Sequence, residues 1–163
     1  MTAACREACC SVTPRFAVAE LFERGFRRNR QEPLAVQGET IVDAEGNSAR
    51  FSVQLDGGKI AELRFRASSC TTLIAYSEAL AELLTGFDAA MAAQYAPQNL
   101  VAALPGVHPL KQNRAVLAVA ALRAALLTAA THHTARPRES GDPALDSPHS
   151  APNGERSLAY ARE

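Results

Sequence analysis

The chain is 163 residues long, which suits one domain with a sizeable core, since domains usually hold about 100–200 residues. Its 17 basic and 17 acidic side chains cancel, so we expect neither nucleic acid nor an acidic membrane surface as a partner. Three of the four cysteines crowd into MTAACREACC, and the opening residues lack the apolar run of a signal peptide. This pattern differs from the cysteine spacing of disulfide-stapled secreted domains and favours a cytoplasmic location.

The first predicted element is a helix over about 14–28. Thr13 can cap it, Pro14 suits the first helical position, and apolar residues recur at helical spacing as far as Phe26. Residues 1–12 carry no periodic signal, and we expect a flexible N-terminus there. Its crowded cysteines have no matching Cys or His motif nearby, so we interpret them as incidental rather than as a metal site.

Three runs with strand character follow, QGETIVDA, ARFSVQL and KIAELRFRA. In the second run Phe51, Val53 and Leu55 alternate with polar residues, which is typical of a strand with one buried face. Asp56-Gly57-Gly58 lies between the second and third runs and is a tight-turn signature, because glycine tolerates positive φ. The sequence therefore predicts a three-stranded antiparallel sheet.

Helices make up the rest of the predicted domain. Apolar residues from Leu73 to Leu84 fall on one helical face, and Gly86 marks its end. Two short helices are predicted over FDAAMAAQY, with Asp88 as its cap, and over PQNLVAAL. Pro109 then opens the longest helix. Strands first and helices afterwards indicate an α+β fold, with the sheet packed against four to five helices.

The long helix and the segment after it complete the domain plan. The helix is alanine-dense and apolar on more than one side, which predicts a buried packing element. Its apolar run is shorter than the ~20 residues of a membrane span and contains Arg123, so we expect no membrane. Residues 134–163 are rich in proline and lack a periodic face, which predicts a disordered tail. The domain is thus expected at 13–133.

Cys70 is the residue most suggestive of chemistry. It lies between a predicted strand and the first turn of a predicted helix, where unpaired N–H groups and the helix dipole stabilise a thiolate. Free cysteine is also among the most buried residue types, so a space-filling role is the alternative. A thiol enzyme would need a base, and His108, before the long helix, is the histidine best placed to reach Cys70.

Three segments together resemble a known family. They are FRASSCTTLIAYS followed by TGFD, LPGVHPLKQNRAVLAVAALRAAL, and, more loosely, LFERGFRRNRQEP. They are similar to the U-type iron–sulfur cluster assembly scaffold family, which includes the IscU proteins and the N-terminal domain of NifU. The resemblance covers roughly residues 16–130 and implies a SufE/NifU-like α+β fold.

The resemblance also implies where ligands would lie. Family members carry three ligand cysteines, and Cys70 corresponds to the second. Glu45-Gly46-Asn47 stands in place of the Cys-Gly-Asp turn that holds the first, and Asn113-Arg114 in place of the His-Cys that holds the third. The candidate metal ligands in this chain are therefore Cys70, together with Glu45 from that turn and His108 from the segment before the long helix. Iron–sulfur clusters and zinc need about four ligands, whereas Arg114 would repel a cation but could hold an anionic persulfide or a carboxylate partner.

Three functional hypotheses follow. The first is a non-enzymatic scaffold-like protein that binds iron or an iron–sulfur cluster, with zinc as another candidate metal, or accepts sulfur through Cys70. By resemblance its partners would be a cysteine desulfurase and cluster acceptor proteins, and a cluster shared through Cys70 would make it a homo-oligomer. The second is a degenerate, metal-free scaffold that binds partners as a regulator. The third is a thiol enzyme that uses Cys70 with His108 as its base.

Overall fold

Five α-helices, one short 3-10 helix and four strands make up the part of the chain that the computed structural model describes, residues 17–134. In chain order they are α1 (Val18–Arg28), β1 (Val36–Gln37), β2 (Ile41–Val42), β3 (Ser48–Asp56), β4 (Lys59–Ala67), α2 (Thr71–Leu84), α3 (Ala89–Ala93), α4 (Pro97–Ala103), the 3-10 turn Pro109–Lys111 and α5 (Asn113–Thr134). The predicted α+β class is confirmed. The predicted N-terminus 1–12 and tail residues 135–163 lie outside the described residues.

The β3–β4 hairpin is the centre of the sheet. Asp56 pairs with Lys59 across a two-residue turn in which Gly57 and Gly58 have φ values of 55° and 80°. A turn with positive φ at both central residues matches the twist of paired strands, as the sequence predicted. The inner face of the hairpin is buried and supplies Ala49, Phe51, Val53, Ile60, Leu63 and Phe65 to the core.

The predicted first strand is divided in two, so the sheet has four strands rather than three. Both pieces pair with β3, with Val36 opposite Val53 and Ile41 opposite Ala49. The interruption begins at Gly38, which lies against α5. A Cβ atom there would be 2.4 Å from the backbone nitrogen of Ala125, so only glycine allows the strand to pass so close to the helix.

Helix α2 is buried on more than the one face that the sequence predicted. Ten of its fourteen residues are buried, because α1 packs on one side of it and the sheet and α5 on others. Gly25 of α1 permits this contact, since a Cβ atom there would lie 2.9 Å from Cγ2 of Ile74. The helix ends before Gly86, whose φ is 87°, and Asp88 caps α3 as predicted.

Two predicted helix boundaries need correction. Helix α1 begins at Val18 rather than Pro14, because Ala17 is extended, with φ −81° and ψ 132°. Thr13 and Pro14 themselves lie outside the described residues. Pro109 opens a 3-10 turn rather than the long helix, and α5 begins at Asn113 and includes Thr134, the first residue assigned to the tail.

Helix α5 packs against the sheet but is not buried all round. By length and composition alone the segment Pro109–His132 could span a membrane, but half of its most apolar 18-residue stretch is buried in the fold. A helix in the core of a soluble protein can have the same length and apolar composition. The inner side of α5 packs into the core, as expected of a packing element, whereas Val116 and Leu127 are 57% and 69% exposed.

Hydrogen bonds cover the outer edge of β4. Near its start, the Gly86 amide donates to the Ile60 carbonyl and the Ile60 amide donates to the Phe87 carbonyl. At its end, the Asn29 side chain bonds both backbone groups of Ala67: its Nδ2 donates to the carbonyl at 3.1 Å and its Oδ1 accepts from the amide at 2.7 Å. These contacts join α1 and the segment after α2 to the strand that leads to Cys70.

Candidate thiol site at the start of helix α2

Cys70 is the N-cap residue of α2. Its backbone is extended, with φ −97° and ψ 113°, and its carbonyl accepts from the Ile74 amide at 2.9 Å. Its side chain makes no cap hydrogen bond, so the thiol is not used to hold the helix end. The residue is half-buried against the core and its thiol is free. The predicted position at a strand-to-helix junction is confirmed.

The β2–β3 turn approaches this helix end and is built by Asp43. One carboxylate oxygen of Asp43 accepts from the backbone amides of Glu45 and Asn47, both at 2.9 Å. Gly46 has φ 80°, a conformation that few other residues adopt. The turn therefore presents Glu45, at the position that the resemblance gives to the first ligand cysteine. The other Asp43 oxygen accepts from Nδ2 of Asn47 at 3.2 Å and leaves room for a second contact.

Arg114, in the first turn of α5, makes that second contact. Its side chain is only 2% exposed. One terminal nitrogen donates to Asp43 Oδ2 at 2.7 Å, and the other donates to Glu45 Oε2. Nε is buried and has no hydrogen-bond partner among residues 17–134. Asn113 and Lys111 add weaker contacts to Glu45, with Nδ2 at 3.3 Å from Oε1 and Nζ at 4.0 Å from Oε2.

Electrostatics reinforce this arrangement. The hydrogen bond with Glu45 raises the pKa of Arg114 against the opposing effect of burial, and the Cys70 side chain beside the guanidinium raises it further. Hydrogen bonds from Arg114 and Asn113 lower the pKa of Glu45. Burial alone would raise the pKa of Asp43, but hydrogen bonds from Asn47, the Glu45 amide and the charge of Arg114 lower it. All three groups are therefore charged at neutral pH.

The structure thus brings together the three positions that the resemblance assigns to the family's ligands. Glu45, Cys70 and Arg114 come from three different parts of the chain, and the first two lie beside the Arg114 side chain.

Asp43 is a site residue that the sequence analysis missed, although an aspartate two residues before a Glu-Gly pair is a recognisable turn signal. His108 is exposed and its Nδ1 accepts from the Leu110 amide at 3.3 Å. Within residues 17–134 no hydrogen bond joins it to Cys70.

The donor set does not fit a metal or cluster held by one chain. Among the described residues, no group of three or more His, Cys, Asp or Glu side chains is arranged to hold a metal ion. One thiol is present, and both nearby carboxylates are engaged by a guanidinium. Clusters and tetrahedral zinc need about four ligands free of such partners. The assignment of Cys70, Glu45 and His108 as joint metal ligands stays a prediction.

Comparison with known proteins gives the family. Residues 22–136 match the family model described as NifU-like N terminal domain. The chain belongs to this family. The resemblance to U-type scaffolds of iron–sulfur cluster assembly is therefore confirmed.

Curated relatives and a solved structure agree with this membership. The chain is 35% identical over 81 residues to "Nitrogen fixation protein NifU" of Cereibacter sphaeroides, which covers 50% of this chain and 33% of that protein. It is 38% identical over 90 residues to "Bifunctional protein NifU/MnmA" of Rubrobacter xylanophilus, with coverage of 54% and 18%. The chain thus spans a third or less of these relatives.

A crystal structure of a NifU-like protein (N-terminal) from Brucella abortus superposes with a TM-score of 0.50 at 12% identity. The superposition covers 71% of this chain and 99% of the other. At that identity the likeness supports the fold alone, and it matches the α+β arrangement of sheet and helices described above.

Proposed function

We propose that this scaffold-family protein acts in iron–sulfur cluster assembly as a metal-free sulfur acceptor, with Cys70 as the accepting thiol. One observation carries the proposal. The Arg114 guanidinium is buried beside Cys70, at the position where the family would place its third ligand cysteine. The guanidinium engages the two nearby carboxylates, which keeps them from acting as metal ligands, and as a charged hydrogen-bond donor it can stabilise an anionic sulfur species on Cys70.

The sulfur transfer is a thiol–persulfide exchange. The Cys70 thiolate attacks the outer sulfur of a persulfide on the donor protein, one S–S bond forms, and the S–S bond of the donor breaks. The donor cysteine leaves as a thiolate, the Cys70 proton goes to solvent, and no net oxidation or reduction occurs. The product is a persulfide anion on Cys70, whose charge lies next to Arg114.

The partners and location of the protein follow from this role. The donor would be a cysteine desulfurase, and the sulfur would pass on to proteins that build or accept clusters, as the family membership suggests. The protein would not be an enzyme, since His108, the candidate base, is exposed and holds the Leu110 amide instead. Because a free thiol needs a reducing environment, we propose that it works in the cytoplasm.

Sulfur loading without iron tests the proposal. A background variant with Cys5→Ser, Cys9→Ser and Cys10→Ser leaves Cys70 as the sole thiol. We expect this variant, incubated anaerobically with a cysteine desulfurase and L-cysteine, to gain the mass of one sulfur atom by intact mass spectrometry. Cys70→Ser in the same background should gain none. Arg114→Leu should shorten the lifetime of the persulfide.

Two outcomes would contradict the proposal. If the background variant takes up no sulfur but still binds the desulfurase in a pull-down, the protein is a partner-binding regulator. If wild-type protein, reconstituted anaerobically with iron, cysteine and desulfurase, retains stoichiometric iron and sulfide after desalting, it is a cluster-holding scaffold. Metal analysis of the desalted sample distinguishes the second outcome from sulfur loading alone.

A further inference from the structure

A groove between α3 and α5 lies far from the thiol site. It has a volume of about 560 Å³ and is formed by α3 and the residue before it, α5, and the end of the β3–β4 hairpin. Gly58, in the hairpin turn, is one of its lining residues. The nine residues of β4 separate this turn from the segment that holds Cys70, a distance of about 30 Å along the strand.

The groove is apolar and open to solvent. Eight of its ten lining residues are alanine, leucine or glycine: Leu55, Gly58, Ala89, Ala90, Ala93, Leu126, Leu127 and Ala130. On the α5 wall Leu127 is 69% exposed, and on the α3 wall Ala90 is exposed as well. An exposed apolar surface of this kind, with charged residues beside it, marks a site where another segment of protein binds.

The other two lining residues are charged. Arg123 donates from Nε to the carbonyl of Ala93 and from a terminal nitrogen to that of Tyr95, both at 3.0 Å. Asp88 uses its carboxylate to cap α3. Within residues 17–134 neither side chain forms an ion pair. The groove therefore offers one positive and one negative group to whatever occupies it.

We propose that the segment 157–161 of the same chain, SLAYA, binds in this groove through the side chains of Leu158 and Tyr160. After Thr134 the large apolar residues are these two and Leu145, which stands by itself between two prolines. The segment lies outside the described residues, and binding would order a stretch of the tail for which the sequence predicts disorder. Occupation of the groove does not depend on sulfur transfer by Cys70.

The length and course of the chain suit this occupant. Leu127 and Ala130 of α5 line the groove, and the helix ends at Thr134, so the chain leaves α5 about 10 Å from Leu127 at 1.5 Å per residue. Residues 135–156 then reach as far as about 70 Å when extended, which is ample for a return to the groove. A tether of this kind keeps the effective concentration of the segment near the millimolar range.

Charge complementarity also supports the segment as the occupant. One acidic and one basic residue flank it on each side: Glu155, Arg156, Arg162 and Glu163. Whichever way the segment runs along the groove, a carboxylate is available for Arg123 and a guanidinium for Asp88.

A second copy of the chain suits the groove less well. In a twofold dimer the same surface faces itself, so that one groove would lie over another and neither would be filled. In addition, only ten residues line the groove, whereas a stable interface uses about 20–30 residues on each side.

A tryptophan in place of Tyr160 tests the proposal in the full chain. The protein contains no tryptophan, so Tyr160→Trp introduces a single indole fluorophore. We expect its emission at a shorter wavelength than in the urea-unfolded protein, because the groove shields the ring from water. Leu127→Arg and Ala90→Arg, one on each wall, should each return the emission to the unfolded wavelength. Leu158→Ser should do the same from the side of the segment.

Two variants are matched controls. Val116→Arg places the same charge on another exposed apolar position of α5, outside the groove, and should leave the emission unchanged. Leu145→Ser removes a leucine from the tail outside the proposed segment and should also have no effect. Circular dichroism checks that each variant is folded.

The native tyrosine is tested by a double-mutant cycle. Tyr160→Ala should lower the Tm of the wild-type chain but not that of Leu127→Arg, because the blocked groove has no contact left to lose. Unfolded-like emission of Tyr160→Trp together with additive changes in Tm overturns the proposal, whereas non-additive changes support it even if the indole is too large to bind. A shifted emission that neither wall variant alters, or that Val116→Arg abolishes equally, also overturns it.

Analytical ultracentrifugation distinguishes the other occupant. A monomer whose emission is unchanged on dilution supports binding within one chain. A wild-type dimer that Leu127→Arg dissociates overturns the proposal in favour of a second copy on the groove. An emission shift that is lost on dilution also overturns it, because the segment then binds the groove of another chain.

Discussion

Arg28 on helix α1 and Glu78 on helix α2 form a two-pronged ion pair between helices. Nε of Arg28 donates to Oε2 of Glu78 at 2.7 Å, and its NH2 group donates to Oε1 at 3.0 Å. Glu78 is almost completely buried, with 1% of its side chain exposed. Its charge raises the pKa of Arg28 through the hydrogen bond and outweighs the effect of burial. The pair joins α1 to α2.

Arg28→Ala should be strongly destabilising, because it leaves the Glu78 carboxylate buried without a partner. We expect a loss of about 3 kcal/mol in the free energy of unfolding, the lower end of the range for buried pairs that lose one member. Urea denaturation measures this loss. Arg24→Ala is the matched control, since Arg24 makes the same kind of pair with Glu82 at the surface, where a loss of about 0.2–1 kcal/mol is expected. Equal losses in the two variants would contradict this account.

The Asp43–Arg114–Glu45 cluster should make stability depend on acid pH. The folded-state pKa values of both carboxyls are lowered, so their contribution is full above the unfolded values of about 4 and is lost as pH falls through the lower folded values. We expect Glu45→Gln to be less stable than wild type at neutral pH and the difference to shrink below about pH 4. Urea midpoints across pH measure it.

Glu23→Gln is the control for this acid effect, because Glu23 is exposed on α1. Its stability should follow that of wild type at every pH. A difference between wild type and Glu45→Gln that stays constant from neutral pH to the acid limit would show that the carboxylate charge is not what stabilises the turn.

Gly38→Ala should force β1 away from α5. Its Cβ atom would lie 2.4 Å and 2.6 Å from backbone atoms of Ala125, which cannot move aside as a flexible side chain could. Overpacking of this kind costs about 1–3 kcal/mol, measurable by thermal or urea denaturation. Gly106→Ala is the control, because its nearest neighbour would be 3.7 Å away. The free energy of unfolding of Gly106→Ala should equal that of wild type or lie slightly above it. A comparable loss of stability in both variants would argue against the close approach of Gly38 to α5.

Arg50 lies directly opposite Arg66 on β3 and β4, and neither forms an ion pair within residues 17–134. Like charges directly opposite each other destabilise a sheet. Arg50→Glu should therefore raise the free energy of unfolding by about 0.2–1 kcal/mol, and about 1 M salt should remove most of the gain. Arg50→Gln, which removes the repulsion without adding attraction, should give a smaller gain. No gain in either variant at low salt would show that the two guanidinium groups avoid each other.

The features that the sequence predicted depend on residues close together in the chain. Gly57-Gly58 specifies its turn by backbone conformation, and Asp88 caps α3 through amides two and three residues away. The position of Cys70 between strand and helix followed from a change in hydrophobic period. Such local signals also carried the family resemblance, and with it the fold class.

The features that the sequence did not predict depend on contacts between distant segments. Arg114 and Asp43 are 71 residues apart, so nothing in either neighbourhood indicates their pairing. The break in the first strand at Gly38 comes from the passage of α5, and the burial of α2 on several sides comes from α1. The sequence did place a positive charge at Arg114 in the site, but only the fold shows that two carboxylates hold it there.

The capped edge of β4 bears on how the protein behaves when it is crowded with other copies of itself. An exposed strand edge is a template on which a second chain can add a strand, and this is a common route to aggregation. Here the amide of Asn29 occupies both backbone groups of Ala67, and the Gly86–Phe87 segment occupies those of Ile60. The strand that leads to Cys70 is therefore occupied at both ends of its outer edge, where another chain would have to displace these contacts to add a strand.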